Sequence, residues 1–417
     1  MSDPSPLPTE TLNRPLPLKR GKPLPNRIAK ASMSEQLGDP GGAPSDRLVQ
    51  LYRRWARSGA GLLLSGNVMV DPTALGEAAN VVVEDGRHLP MLRRWAEAAQ
   101  SEGAQLWMQI NHPGRQSPKA LSKQPVAPSA VGIKGGGQFA VPRALTPAEI
   151  QGIIERFGRT AAVAREAGFS GVQLHGAHGY LISQFLSPRA NLREDEWGGD
   201  AARRRRFLLE VIRSVRRQAG ADFPLGLKLN SADFQRGGFT EEECQAVLAS
   251  LEAEGVDLVE LSGGTYEQAT MFSGRDVKES TRRREAYFVE FAERARGRTP
   301  LPLMVTGGFR SAAGMADAVS SGAVDLVGLA RPMALEPDLP ARLLAGASAA
   351  STVERRKIGL KLLDAVAENY WYVHQIQRMA DGLEPDPRRG NWASVVTGLY
   401  LTVTGSRPRR SASSAAA

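Results

Sequence analysis

Cysteine is nearly missing from this chain. A single Cys244 stands among 417 residues. That excludes an intramolecular disulfide framework, a cysteine-rich zinc module and a cysteine-ligated iron–sulfur cluster. Histidine is scarce as well, with five copies, so imidazole chemistry is confined to few positions. No apolar run reaches the roughly 18 residues needed to cross a bilayer. The N-terminus is polar and proline-rich, unlike the basic end and apolar stretch of a secretory signal. A cytoplasmic protein without a membrane partner is expected.

What is present reads as an ordinary globular chain, 42% hydrophobic and 23% charged. The net charge is +9, of which the first 25 residues contribute +2 and the last 13 contribute +3. The basic excess therefore sits largely in the tails, and no nucleic-acid partner is expected. The arginine runs at 203–206 and 282–284 read as solvated helix faces with their stems packed on the body.

Residues 1–25 hold seven prolines and read as an extended, mostly disordered lead-in. Residues 405–417 read as a disordered tail. Between them, short apolar runs alternate with longer segments of helical period. The strand candidates are 27–33, 61–70, 104–111, 171–175, 225–230, 258–262, 303–306 and 326–329. Helices are expected to start near Ser45, Gly86, Pro147, Ala201, Glu241, Arg284, Ala312 and Leu339. Thr146-Pro147 with Glu149, and Thr240 with Glu243, are capping boxes.

Eight strands alternating with eight helices is the count of a TIM (β/α)8 barrel, here over 26–347. A doubly wound sheet would announce itself with G-x-G-x-x-G after the first strand; this chain has Ala31-Ser32-Met33-Ser34 there. Residues 352–400 form a C-terminal extension. It opens as a helix over 353–379 and carries Tyr370, Trp371, Tyr372, Trp392 and Tyr400. It is expected to pack on the barrel or on a neighbouring subunit. Long insertions at 112–145 and 176–200 follow the third and fourth strands and would sit over the C-terminal mouth, where barrel chemistry occurs.

Polar residues converge on that mouth. The first strand ends in Ser32, Met33 and Ser34, the second delivers Gly66 and Asn67, the third Gln109 and Asn111. The fourth delivers His175, then His178 and Tyr180, and the fifth Lys228 and Asn230. Gly307 and Gly308 after the seventh strand let backbone N–H groups approach an anion, or simply make a tight turn. With Arg331 after the eighth strand, they fit a phosphate site.

The segment LHGAHGYL, 174–181, is the sharpest local feature. Three readings fit it. His175 and His178 could ligate a metal, but the segment offers no acidic third ligand and Cys244 falls in a helix. They could be structural. Or two imidazole N–H groups could hold a carbonyl or phenolate oxygen while Tyr180 supplies a proton. Lys228 suits an electron-rich or anionic ligand centre, and Gln109 offers both a donor and an acceptor. Together these match a flat, polar-edged ring with a phosphate tail.

NRIAKASMS (26–34), WMQINHPGRQ (107–116), LHGAHGYLISQFLSPRANLREDEWGG (174–199), LKLNSADF (227–234), VTGGFRS and GLARP resemble the Old Yellow Enzyme family of FMN-dependent NADH:flavin oxidoreductases and ene-reductases. The resemblance covers about residues 12–345. It implies non-covalent FMN at the mouth of an α/β barrel. Ala31, Ser32, Met33, Ser34 and Asn67 would lie against or near the isoalloxazine, Gln109 at its pyrimidine edge and Lys228 near N1–C2=O. Gly307, Gly308, Ala330 and Arg331 would hold the phosphate. NADH or NADPH would supply the hydride for reducing α,β-unsaturated carbonyl compounds, whose oxygen is bonded by His175 and His178. Tyr180 would protonate the α-carbon. No metal site is implied.

Three departures from that pattern stand out. Lys228 replaces a frequent arginine. Ser34 sits where relatives carry cysteine or threonine, and Gln36 where some carry a substrate-binding tyrosine. The alternatives are an RNA-uridine reductase of the dihydrouridine synthase type, which needs a catalytic cysteine, and a non-catalytic barrel scaffold. A small-molecule substrate is expected. Arg115 and Lys119 lean toward the extra phosphate of NADPH. Oligomeric state is left open.

Overall fold

The computed structural model describes residues 7–133, 137–262, 289–347, 350–353 and 361–390, with 392, 394 and 396. Eight parallel strands close into a barrel: β1 (Ile28–Lys30), β2 (Leu62–Leu64), β3 (Gln105–Asn111), β4 (Gly171–Gly176), β5 (Leu225–Asn230), β6 (Leu258–Ser262), β7 (Leu303–Thr306) and β8 (Leu326–Leu329). Each pairs with its neighbours in chain order. β1–β8 pairing closes the ring, with Ile28 opposite Val327. The expected (β/α)8 barrel is what the chain forms.

The helices outside are α1 (Asp46–Ala56), α2 (Leu89–Gln100), α3 (Pro147–Glu166), α4 (Ala201–Ala219), α5 (Glu241–Leu251), α6 (Val289–Arg296), α7 (Ala312–Ser320) and α8 (Leu339–Leu344). Both capping boxes form: the Thr146 and Thr240 hydroxyls accept from the amides of Glu149 and Glu243, whose carboxylates accept in return from the cap amides. The expected start near Arg284 lies outside the described residues, as do the 282–284 run and the 405–417 tail.

Strand alternation divides the interior in two. Ala29, Leu62, Leu64, Trp107, Leu258, Met304 and Leu326 fill the lumen, whereas the intervening residues pack against the helices. The run expected as one strand over 61–70 is broken. After Leu64 the chain turns at Gly66, and Val68–Met69 pairs instead with the end of β3. A Cβ on Gly66 would lie 2.5 Å from the Glu35 carboxylate and the Met33 carbonyl, so only glycine fits this turn.

The disordered lead-in is corrected for residues 7–25. Pro8–Asn13 is helical, and Leu12 is fully buried. Leu16 and Leu24 exchange two backbone hydrogen bonds of 2.9 Å and join the lumen core from below. Gln105 Nε2 donates to the carbonyls of Lys22 and Pro23 at 2.8 and 3.0 Å. A barrel floor exposes apolar side chains, and proline restricts the covering segment to extended shapes at low entropic cost.

Beyond the barrel, the helix Lys361–Ala380 lies against α1. Trp371 is fully buried and its Nε1 donates to the Arg389 carbonyl at 2.9 Å. Arg47 pairs with Asp381 at 2.6 Å. Among the described residues, no helix is long and apolar enough to cross a membrane.

Candidate active site

The C-terminal mouth carries one continuous polar network. The Ser32 hydroxyl donates to Gln109 Oε1 at 2.7 Å, and Gln109 Nε2 donates to Gln173 Oε1 at 2.7 Å. Gln173 Nε2 donates to Glu260 Oε2 at 2.9 Å. Lys228 Nζ and the Thr306 hydroxyl both donate to Glu260 Oε1, at 2.9 and 2.7 Å. Five strands and the loop after β1 are thereby tied together across the lumen. Glu260 is fully buried and Lys228 is 5% exposed. Sequence reading placed Ser32, Gln109 and Lys228 here but missed Gln173 and Glu260. The signal was available: each is a lone polar residue at a lumen-facing step of an apolar strand, GVQLHG and LVELS.

His175, His178 and Tyr180 come together at the end of β4. The His175 ring centroid lies 5.1 Å from that of His178 and 4.7 Å from that of Tyr180. His178 has a left-handed backbone, φ +60°. It is held by its amide donating to Asn230 Oδ1 at 3.1 Å and its carbonyl accepting from Gln116 Nε2 at 3.0 Å. Such a conformation persists where surrounding contacts over-determine it.

Burial holds both imidazoles neutral, well below the usual histidine pKa; His178 and Lys228 add to the effect at His175, and Lys228 does so at His178. His175 Nδ1 accepts from the Ala177 amide at 3.3 Å, which puts its proton on Nε2 as a donor. His178 Nε2 lies 2.8 Å from the Ser262 hydroxyl oxygen. When that hydroxyl donates, Nδ1 of His178 carries the proton and becomes the second donor.

The loops after β7 and β8 border an open recess lined by Gly307, Gly308, Phe309, Arg310, Ala330 and Arg331 among others. Gly307 and Gly308 have φ of +114° and +89°, backbone that favours glycine. Arg331 Nη1 pairs with Glu368 Oε1 of the C-terminal helix at 3.0 Å. Arg310 is a second guanidinium at this rim that sequence reading left out of the site.

Other expected residues lie elsewhere on the rim. Ala31 is buried, its amide bonded to the Leu329 carbonyl at 2.9 Å, and Met33 packs on the outer core. Ser34 donates to the Glu77 carboxylate. Ser34 and Asn67 line a smaller recess with Glu35, Gln36, Asn80 and Trp95. Behind it, Lys30, Glu35 and Tyr52 form a buried cluster. Tyr52 donates to Glu35, and Lys30 Nζ donates to the Leu64 carbonyl at 2.6 Å. Arg115 is buried and donates to the Val131 and Gly132 carbonyls at 3.2 and 3.4 Å, so its guanidinium serves its own loop. Cys244 is buried in α5 with its thiol pKa pushed far up by desolvation. It cannot supply the acid that a uridine reductase needs.

A recess lined by two positive-φ glycines and two arginines adjoins a lumen ledge of alternating donors and acceptors. This donor set fits FMN. The family model of the NADH:flavin oxidoreductase / NADH oxidase family matches residues 11–349. The NADH-dependent flavin oxidoreductase iliE of Hypocrea jecorina (strain QM6a) is 40% identical over 352 residues, covering 78% of this chain and 87% of that protein. Its namesake from Neonectria sp. (strain DH2) is 38% identical over 354 residues, 78% of this chain, and there the chain spans about half the relative's length, 46%. The structure of morphinone reductase in complex with tetrahydroNAD superposes with a TM-score of 0.69 at 27% identity, covering 82% of this chain and 92% of that one. The chain belongs to the NADH:flavin oxidoreductase / NADH oxidase family, flavoproteins of the Old Yellow Enzyme type that use FMN with a reduced nicotinamide nucleotide.

Proposed function

We propose that the protein reduces the activated C=C bond of α,β-unsaturated carbonyl compounds. The observation that carries this reading is the clustering of two neutral imidazoles and a tyrosine at one point of the mouth, above the Gln109–Gln173–Glu260–Lys228 ledge. Gly307, Gly308, Ala330 and Arg331 would hold the cofactor's phosphate. Gln109, Lys228 and the backbone of Ala31, Ser32 and Met33 would hold its ring, with Ser34 and Asn67 at the rim. FMN, when bound, supplies hydride exchange; the protein supplies placement and charge.

The substrate oxygen takes two hydrogen bonds, from His175 Nε2–H and from His178 Nδ1–H. Neutral donors polarise the carbonyl as negative charge develops on it. Ser262 sets the His178 tautomer and Asn230 the backbone that aims it. Tyr180, 5% exposed, gives its hydroxyl proton to the α-carbon. Arg115 is engaged within its own loop, which leaves Lys119 as the one residue of that pair to favour NADPH. NADH is the proposed donor, in keeping with the printed names of the fungal relatives.

The test is anaerobic. FMN-loaded protein should bleach with NADH, and 2-cyclohexenone should restore the yellow colour with formation of cyclohexanone. Bleaching by NADH without reoxidation by any enone, enal or maleimide in a panel would reject the reading.

A further inference from the structure

Two side chains at the mouth stand apart from the network. Asn111 ends β3 and is 1% exposed, and neither its Oδ1 nor its Nδ2 has a hydrogen-bond partner among the described residues. Gln116 is 5% exposed; its Nε2 donates to the His178 carbonyl, while its Oε1 has no partner among the described residues. Buried polar groups almost always find partners, because an unpaired one forfeits its hydration for nothing.

Their placement is specific. Alternation along β3 puts Asn111 on the lumen face with Trp107 and Gln109, one step nearer the mouth. Ile110 is in register with Leu174, so the next pair in that register sets Asn111 beside His175, on the same face. Gln116 is tied to the same His175–Tyr180 segment, its Nε2 donating to the His178 carbonyl at 3.0 Å.

We propose that Asn111, with Gln116, reads a primary carboxamide on the ligand bound beside His175. The unpaired set is two acceptors, Asn111 Oδ1 and Gln116 Oε1, and one donor group, Asn111 Nδ2. Its complement is a group with two N–H donors and one carbonyl, which is –CONH2. A ketone or an ester brings acceptors only and leaves both protein acceptors unpaired. The inference rests on the oxidoreductase reading above and goes beyond it by naming a recognised substituent. Two ligands carry that group: the nicotinamide ring of the reduced nucleotide, and an α,β-unsaturated primary amide.

The experiment uses FMN-loaded wild type, Asn111→Leu and Asn111→Ala, with flavin content checked by absorbance. In one arm, anaerobic flavin reduction is followed across concentrations of NADH and of its reduced 3-acetylpyridine analogue, in which a methyl replaces the amide nitrogen. In the other, reoxidation is followed with an unsaturated primary amide and the methyl ketone of the same skeleton. Wild type should bind the carboxamide member of a pair about tenfold better than the ketone member, the scale of a hydrogen bond or two. Both variants should flatten that ratio to within about threefold while limiting rates with the ketone member hold. Flattening in the first arm alone assigns the site to nicotinamide, and in the second alone to the substrate. Ratios unchanged in both arms overturn the proposal while leaving the oxidoreductase reading intact. Wild type that NADH does not bleach overturns both.

Discussion

Lys228 and Glu260 meet across adjacent strands at 2.9 Å, with the carboxylate fully buried. The cation at the lumen ledge is therefore half of an ion pair, and the same carboxylate oxygen also takes the Thr306 hydroxyl. An approaching anion feels the lysine less than it would feel an isolated charge. Glu260→Gln preserves shape and removes the compensating charge. The two-electron midpoint of bound FMN is expected to rise by about 30–60 mV, equivalent to roughly 1.4–2.8 kcal/mol of added stabilisation of the reduced form. Potentiometric dye titration measures it; a fall would show that Glu260 does not offset Lys228.

Acid should destabilise the fold before carboxylates titrate. Burial lowers His112 from 6.5 to about 4, partly opposed by Asp71, and burial also holds His175 and His178 well below 6.5. A depressed folded-state pKa means that the unfolded chain binds more protons below 6.5. The stabilisation is complete above that pH and is lost as pH falls toward the folded value. From His112 alone, the change between pH 7 and pH 5 is roughly 2 kcal/mol. Urea midpoints at the two pH values test the slope, and equal midpoints would mean that these histidines are not held neutral.

Tyr180→Phe should slow reoxidation by an enone at least tenfold and leave flavin reduction by NADH within about twofold, because only reoxidation by the enone needs the hydroxyl proton. Stopped-flow traces of the two half-reactions separate these. Equal losses would contradict the proton-donor role.

Arg331→Ala should weaken FMN binding about 10- to 100-fold and spare riboflavin, which lacks the phosphate. Fluorescence quenching titrations of both flavins give the ratio. Parallel losses would place Arg331 in the structure of the loop rather than in phosphate binding.

Leu12→Ala should cost about 2–4 kcal/mol, since the side chain is fully buried in the core. Denaturant unfolding decides it. A cost under about 0.5 kcal/mol would return the N-terminal segment to the loosely attached lead-in expected from its prolines.

Much of the molecule was legible from sequence because its signals are local. Strand and helix periods, two capping boxes and the His175–His178–Tyr180 spacing depend on neighbours within a few residues, and they determined the barrel and the grouping of these three side chains at the end of its fourth strand. Tertiary structure alone decided the rest. Glu260 and Gln173 became the hub of the ledge because barrel closure aims alternate side chains from five strands at one axis. Leu12, Leu16 and Leu24 became core because the barrel floor needed covering. Glu368 came to Arg331 over 37 residues because the C-terminal helix folds back along α1. Such pairings are set by the geometry of closure and by where apolar surface remains to be buried, and neither is written in the spacing of residues along the chain.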